Sequence, residues 1–204
     1  MGMRIGFGFD SHAFKAGIPL VIGGLEIEHT EGLAGHSDGD VLLHAITDAL
    51  LGAVSAGDIG TFFPPNDARW KGAASSLFLR TALDEIHSAG YRIVNVDTCL
   101  VMMKPKIVPI AGELRERVAE LLGVKPGEVG IKAKTPEGLN QDGVAVAYAT
   151  VLLESLEPGG ALTTLAATAD VDEVNSVVES LVVGVGEPGS AGRKVPAYDT
   201  DDLT

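Results

Sequence analysis

The hydrophobic pattern between residues 3 and 156 keeps changing period, and that alternation restricts the chain to few architectures. Residues 3–12, MRIGFGFDSH, read as a strand. IPLVIGGLEIEH reads as two short strands around Gly23 and Gly24, a hairpin. Residues 38–55 form a helix by period, with Val41, Leu42, Ala45, Ala49 and Leu50 on one broad face. GDIGTFFPPNDARWKGA follows as a loop rich in Gly, Pro and Asn. A second helix runs from about Ser75 to Ala89 and stops at Gly90. YRIVNVDTCLVMM reads as a buried strand, and a third helix runs from about Pro109 to Leu122, stopped by Gly123. GEVGIKAKT is a strand, and the Val and Tyr alternation of GVAVAYATVLLESL favours a long one. Strands alternating with helices predict an α/β sandwich, a mixed sheet with helices packed on one face.

The composition changes at EPGG, residues 157–160. Residues 1–158 therefore read as the folded domain and 159–204 as an acidic C-terminal extension. Residues 161–204 hold eight Asp or Glu against one Arg and one Lys, and read as largely disordered. Within them Val171, Val174, Val178 and Leu181 could line a short helix over 170–182. The net charge of −13 repels polyanions, so nucleic acid is not an expected partner. An anionic substrate needs a local correction, such as a metal or a helix N-terminus. One cysteine, Cys99, excludes an internal disulfide and fits a reducing cytoplasm. No signal-like opening and no run of 18 apolar residues occur, so no membrane partner is expected.

The stretch HSDGDVLLHAITDA, residues 36–49, carries unusual chemistry for a core helix. Asp40, His44 and Asp48 recur every four residues and so share a helix face. Asp10 and His12, two apart in a strand, share one sheet face, while Phe9 and Ser11 point the other way. Asp10, His12 and His44 together make a three-ligand set for an ion such as Zn²⁺, with the fourth position open to substrate or water. Ser37, three residues before Asp40, reads as the helix N-cap. The same free N–H groups, with His36 beside them, could instead hold a phosphate. Farther along, Asp58 and Asp67 sit in the Gly-rich loop, MMKPKIV places Pro105 between Lys104 and Lys106, and KAKTPEG ends a strand with Thr135 and Glu137. Thr135 and Glu137 could touch phosphate and a second metal such as Mg²⁺.

Taken together, RIGFGFDSH, AGHSDGDVLLHAITDALLGA, GDIGTFFP, the KG at 71–72, the PK at 105–106 and KAKTPEGL resemble the 2-C-methyl-D-erythritol 2,4-cyclodiphosphate synthase family over Met3 to about Leu156. That resemblance implies a homotrimer with active sites at subunit interfaces, in the non-mevalonate isoprenoid pathway. The implied substrate is a cytidylyl diphosphate of methylerythritol bearing a 2-phosphate. That phosphate attacks the β-phosphorus and expels CMP. The implied metals are Zn²⁺ or Mn²⁺ on Asp10, His12 and His44, and Mg²⁺ on Glu137. His36 and Thr135 are the implied transition-state stabilisers. Asp10, Ser11, His12, Ser37, Asp58, Ile59, Gly60, Phe63, Pro64, Pro65, Asn66 and Asp67 are the implied contacts to sugar and phosphates. Met102, Met103, Lys104, Pro105, Lys106, Ile107 and Val108, with Lys134, Thr135, Pro136 and Glu137, would hold the cytidine side. Phosphoryl transfer asks mainly for positioning and charge neutralisation, and here the nucleophile belongs to the substrate. That suits a chain without a serine–histidine–acid signature.

Two segments depart from the family pattern. FPPND replaces the usual FPDTD, through Pro65 and Asn66, and NQDGVAV replaces a glycine-rich segment carrying an arginine. A metal-dependent phosphoesterase, or a non-catalytic scaffold using its acidic tail to hold a partner, are the competing readings.

Overall fold

A computed structural model describes residues 2–138 and 143–156. The expected helix at 170–182 and the extension lie outside the described residues, as do Asn140, Gln141 and Asp142 of NQDGVAV. In chain order the elements are β1 (Met3–Ala16), β2 (Leu20–Ile22), β3 (Leu25–Ile27), β4 (Glu31–Leu33), α1 (Val41–Ala53), α2 (Ile59–Phe62), α3 (Ser75–Ser88), β5 (Tyr91–Val101), α4 (Ala111–Leu122), β6 (Val129–Lys134) and β7 (Val144–Ser155). The main sheet runs β4-β1-β7-β5-β6, and β2 with β3 makes the expected hairpin. Only β5 and β6 pair in parallel; the other pairs are antiparallel, so the sheet is mixed. Among the described residues, no helix is long and apolar enough to cross a membrane.

The helices pack on one face, α1 over β1 and β7, α3 against β5, and α4 against β6. Every residue of α1 except Asp48 and Gly52 is buried. Its apolar surface therefore wraps the whole helix, because β1, β7 and α3 close on it from several sides. Side chains such as Leu42, Ile46 and Leu50 have no exposed surface, and each contributes about 1.5–3 kcal/mol by leaving water. The opposite face of the sheet is bare at β1, where Ile5 is 72% and Phe7 63% exposed.

Gly6 and Gly8 set the depth at which α1 lies on β1. A Cβ on Gly6 would fall 1.7 Å from the Ala49 carbonyl oxygen, and one on Gly8 would fall 1.9 Å from that of Ala45. Only hydrogen at these two positions lets the helix backbone sit directly on the strand.

The start of α1 differs from expectation. Asp40, not Ser37, is the N-cap, and its Oδ1 accepts from the Leu43 N–H at 3.0 Å. The same carboxylate accepts from the Gly23 and Gly24 N–H groups at 2.9 and 2.7 Å, so one side chain ties the hairpin to the helix. This turns Asp40 away from the row expected with His44 and Asp48. Burial pushes the Asp40 carboxyl up, and its three N–H donors offset part of that shift. The expected loop after α1 contains the single turn α2 and a 3₁₀ turn at Ala68–Trp70. The third helix begins two residues later than read, after a 3₁₀ turn at Val108–Ile110.

Candidate active site

β1 brings Asp10 and His12 to the sheet face that α1 covers, two and four positions beyond Gly8. The close seat of the helix then delivers His44 to both. Asp10 Oδ2 lies 2.9 Å from His12 Nε2 and 2.9 Å from His44 Nδ1, and the two ring nitrogens are 3.1 Å apart. These three side chains form a group that could hold a metal ion. Bonds of about 2.0–2.2 Å at tetrahedral angles separate ligand atoms by roughly 3.4 Å, so the triangle need widen only slightly to seat one. Burial works to raise the Asp10 carboxyl, but the His12 and His44 imidazoles beside it outweigh burial and hold the group well below the usual carboxylate range. An anion held firmly ionised between two imidazoles suits a cation.

A cavity of about 230 Å³ opens on this triangle. His36, Ser37 and Gly60 line its polar rim, and Ile59, Phe63, Pro65, Trp70 and Phe78 form an apolar wall. The Phe63 ring stands at 89° to Trp70, with centroids 4.9 Å apart, and lies 4.3 Å from Phe78. His36 Nε2 donates to the Asp67 carbonyl at 3.2 Å. Ser37 Oγ sits 3.0 Å from His44 Nε2.

A second cavity, of about 260 Å³, gathers the other cluster. Met102, Pro105, Lys106, Ile107 and Val108 line one side, and Lys134, Thr135 and Glu137 the other. The Thr135 hydroxyl donates to the Glu137 carboxylate. The two cavities share no lining residue. Sheet register places Asp10 opposite Ala147, Ala147 opposite Leu100, and Leu100 opposite Ala133. They are thus level along the strands but three strand spacings apart, roughly 14 Å.

The sequence from residue 3 to 154 matches the model of the YgbB family. The chain belongs to the YgbB family. A curated relative, 2-C-methyl-D-erythritol 2,4-cyclodiphosphate synthase of Koribacter versatilis, is 65% identical over 152 residues, covering 74% of this chain and 98% of its own. The chloroplastic enzyme of the same name from Arabidopsis thaliana is 47% identical over 152 residues, covering 74% and 66%. A solved 2C-methyl-D-erythritol-2,4-cyclodiphosphate synthase in a CDP-bound form superposes with a TM-score of 0.70 at 40% identity, covering 74% of this chain and all of that one.

In this YgbB-family chain several expected contacts lie apart from both cavities. Ser11 projects from the face of β1 opposite Asp10 and His12, because strand side chains alternate; only its N–H turns back, donating to Asp10 Oδ1 at 2.8 Å. Asp58 caps α2, accepting from the Thr61 hydroxyl at 2.8 Å and its N–H at 2.9 Å, and these bonds hold its carboxyl below the usual range. Asp67 pairs with Arg69, whose side chain lowers its carboxyl in the same way. Pro64 and Asn66 are exposed beside the first cavity, Pro136 is buried, and Met103 and Lys104 line a different groove with Phe14 and His29.

Sequence spacing singles out neither the aromatic wall of the first cavity nor Ser75. Phe78 and Trp70 wall the first cavity, although their spacing reads only as helix and loop. Ser75 is fully buried, with Oγ 2.8 Å from His44 Nε2. Asp48, expected on the same helix face as His44, accepts from the Ile59 N–H at 2.8 Å and so fastens α2 to α1.

Proposed function

We propose that this chain is a 2-C-methyl-D-erythritol 2,4-cyclodiphosphate synthase. It converts 4-diphosphocytidyl-2-C-methyl-D-erythritol 2-phosphate to the 2,4-cyclodiphosphate and releases CMP, in isoprenoid precursor synthesis by the non-mevalonate pathway. The observation that carries this reading is the Asp10–His12–His44 triangle facing a small cavity with an apolar wall, in a chain of this family.

In the reaction a 2-phosphate oxygen bonds to the β-phosphorus. The bond from that phosphorus to the bridging oxygen breaks, and CMP leaves with the electron pair. Asp10, His12 and His44 would hold Zn²⁺ or Mn²⁺ and Glu137 would hold Mg²⁺, and these ions would supply positive charge against the phosphate oxygens. His36 and Ser37 offer donors to the phosphates at the rim of the first cavity. Phe63, Trp70 and Phe78 exclude water and accept the apolar part of the sugar. Lys106 and Lys134 put positive charge at the second cavity, where the 102–108 segment holds the cytosine. Thr135 stabilises the charge that builds on phosphate as the ring closes.

A homotrimer completes the site. One chain carries the metal and cytidine cavities roughly 14 Å apart, so a neighbour's second cavity is needed to face the first. The bare Ile5, Phe7 and Phe9 face supports such an association. Residues 1–158 act as the catalytic unit, 159–204 are an acidic extension, and the enzyme works in the cytoplasm.

Phosphorus NMR tests the reading directly. Incubated with the cytidylyl substrate, Mg²⁺ and Zn²⁺, the full chain should yield a cyclic diphosphate and one CMP per turnover. Linear monophosphates would instead mark a phosphoesterase.

A further inference from the structure

His44 offers two nitrogens, and only Nδ1 faces Asp10 and His12. An imidazole binds a cation only through a nitrogen without a proton. Something must therefore keep the proton on Nε2.

Nε2 faces the Ser75 hydroxyl at 2.8 Å. A hydroxyl has one proton to give, and the hydrogen bonds around Ser75 show where it goes. Ser75 Oγ also contacts Asp38 Oδ1, and an ionised carboxylate can only accept. The Ser75 proton therefore points at Asp38. Its oxygen is left to accept, and the group it accepts from is His44 Nε2–H. Asp38 is itself fixed, because Oδ2 accepts from the Ser75 N–H at 3.0 Å and Oδ1 from the Asp40 N–H at 3.2 Å. The first of these bonds also caps α3, whose N-cap residue, Ala74, makes no side-chain bond. Ser75 has no exposed surface, so no water competes for its oxygen.

We propose that Ser75 and Asp38 are positioning residues that lock His44 in its Nε2–H form, so that Nδ1 is free for the ion. The inference rests on the metal reading above and deepens it. Hydrogen-bond direction runs one way, from His44 to Ser75 to Asp38. Ser37 Oγ, 3.0 Å from the same Nε2 and 3.3 Å from Ser75 Oγ, is excluded as a donor to that nitrogen and can give its proton to Ser75. Outer partners of this kind orient a ligating histidine and raise its basicity, and their loss typically weakens metal binding 10–100-fold.

The test uses the full chain labelled with ¹⁵N-histidine and loaded with Zn²⁺. The imidazole ¹⁵N spectrum should show His44 with zinc on Nδ1 and a proton on Nε2. Competition with a chromophoric chelator should give Zn²⁺ binding about 10–100-fold weaker in Ser75→Ala. Asp38→Asn should weaken it similarly, since an amide can donate to Ser75 and reverse the chain of bonds. Zinc on Nε2, or wild-type affinity in a folded Ser75→Ala, overturns the proposal. If Ser75→Ala does not fold, the wild-type spectrum still decides. Full zinc occupancy in His44→Ala is a separate outcome: it removes the metal reading itself, and the relay with it.

Discussion

At the scale of single residues, Asp48 makes a prediction with a definite sign. Burial raises its carboxyl above the ordinary value of 3.8, and the Ile59 N–H offsets only part of that shift. A raised folded-state value means the folded protein holds the proton more tightly than the unfolded chain. Stability therefore falls as pH rises from about 3.8 through the raised value, and stays lower beyond it. Asp48→Asn keeps an oxygen for the Ile59 N–H and removes the charge. Urea unfolding should find it more stable than wild type at pH 7, with the difference vanishing in acid. A variant equally stable at both pH values would show that the carboxylate is not penalised. The residues that carry periodic signals, Asp10, His12 and His44, were legible because strand and helix spacing put each on a definite face. Ser75 and Asp38 were not. They lie 37 positions apart, and no local spacing announces that the first turn of one helix meets the approach to another.

Among the elements, the contact of α1 with β1 controls the metal triangle. Gly8→Ala would put a methyl group 1.9 Å from the Ala45 oxygen, a backbone atom that cannot swing aside. The helix must lift, at about 1–3 kcal/mol of stability by analogy with overpacked cores. His44 rides on that helix, so Zn²⁺ affinity should fall with it even though no ligand has changed. Thermal unfolding and chelator competition measure the two losses. An unaltered affinity would show that His44 is positioned independently of the strand. Among the described residues, the helices and strands read from hydrophobic period recur, with ends shifted by a few residues, while the helix read at 170–182 lies outside them. What escaped was β4, three residues long, and the turn α2, both too short for a period to register. Ser37 was displaced as the cap by Asp40 because the hairpin N–H groups recruit the same buried carboxylate, a tertiary effect invisible to local spacing.

For the whole molecule, the sheet's two faces have different fates. α1, α3 and α4 cover one, while the other shows Ile5, Phe7, Phe9 and Tyr148. Phe7→Asp places a charge in that apolar patch without touching the core. Sedimentation equilibrium should find the wild type trimeric and this variant largely dissociated, with CMP release reduced about tenfold or more if the proposed trimer shares its site. A fully active monomer would contradict a shared site. The face was readable in the sequence as alternation, but its exposure was not, since alternation does not say which side meets a neighbour.

The bare glycine positions of β1 also act as a gauge of correct pairing. Were β1 to slip by one residue against β7, phenylalanines would be driven toward the carbonyls of Ala45 and Ala49, where no Cβ fits. The same slip would carry Asp10 and His12 to the outer face and bury the apolar patch. A mispaired chain could then neither close its helix onto the strand, nor hold an ion, nor recruit a neighbour. In the proposed trimer, folding errors in this strand would exclude themselves from the assembly.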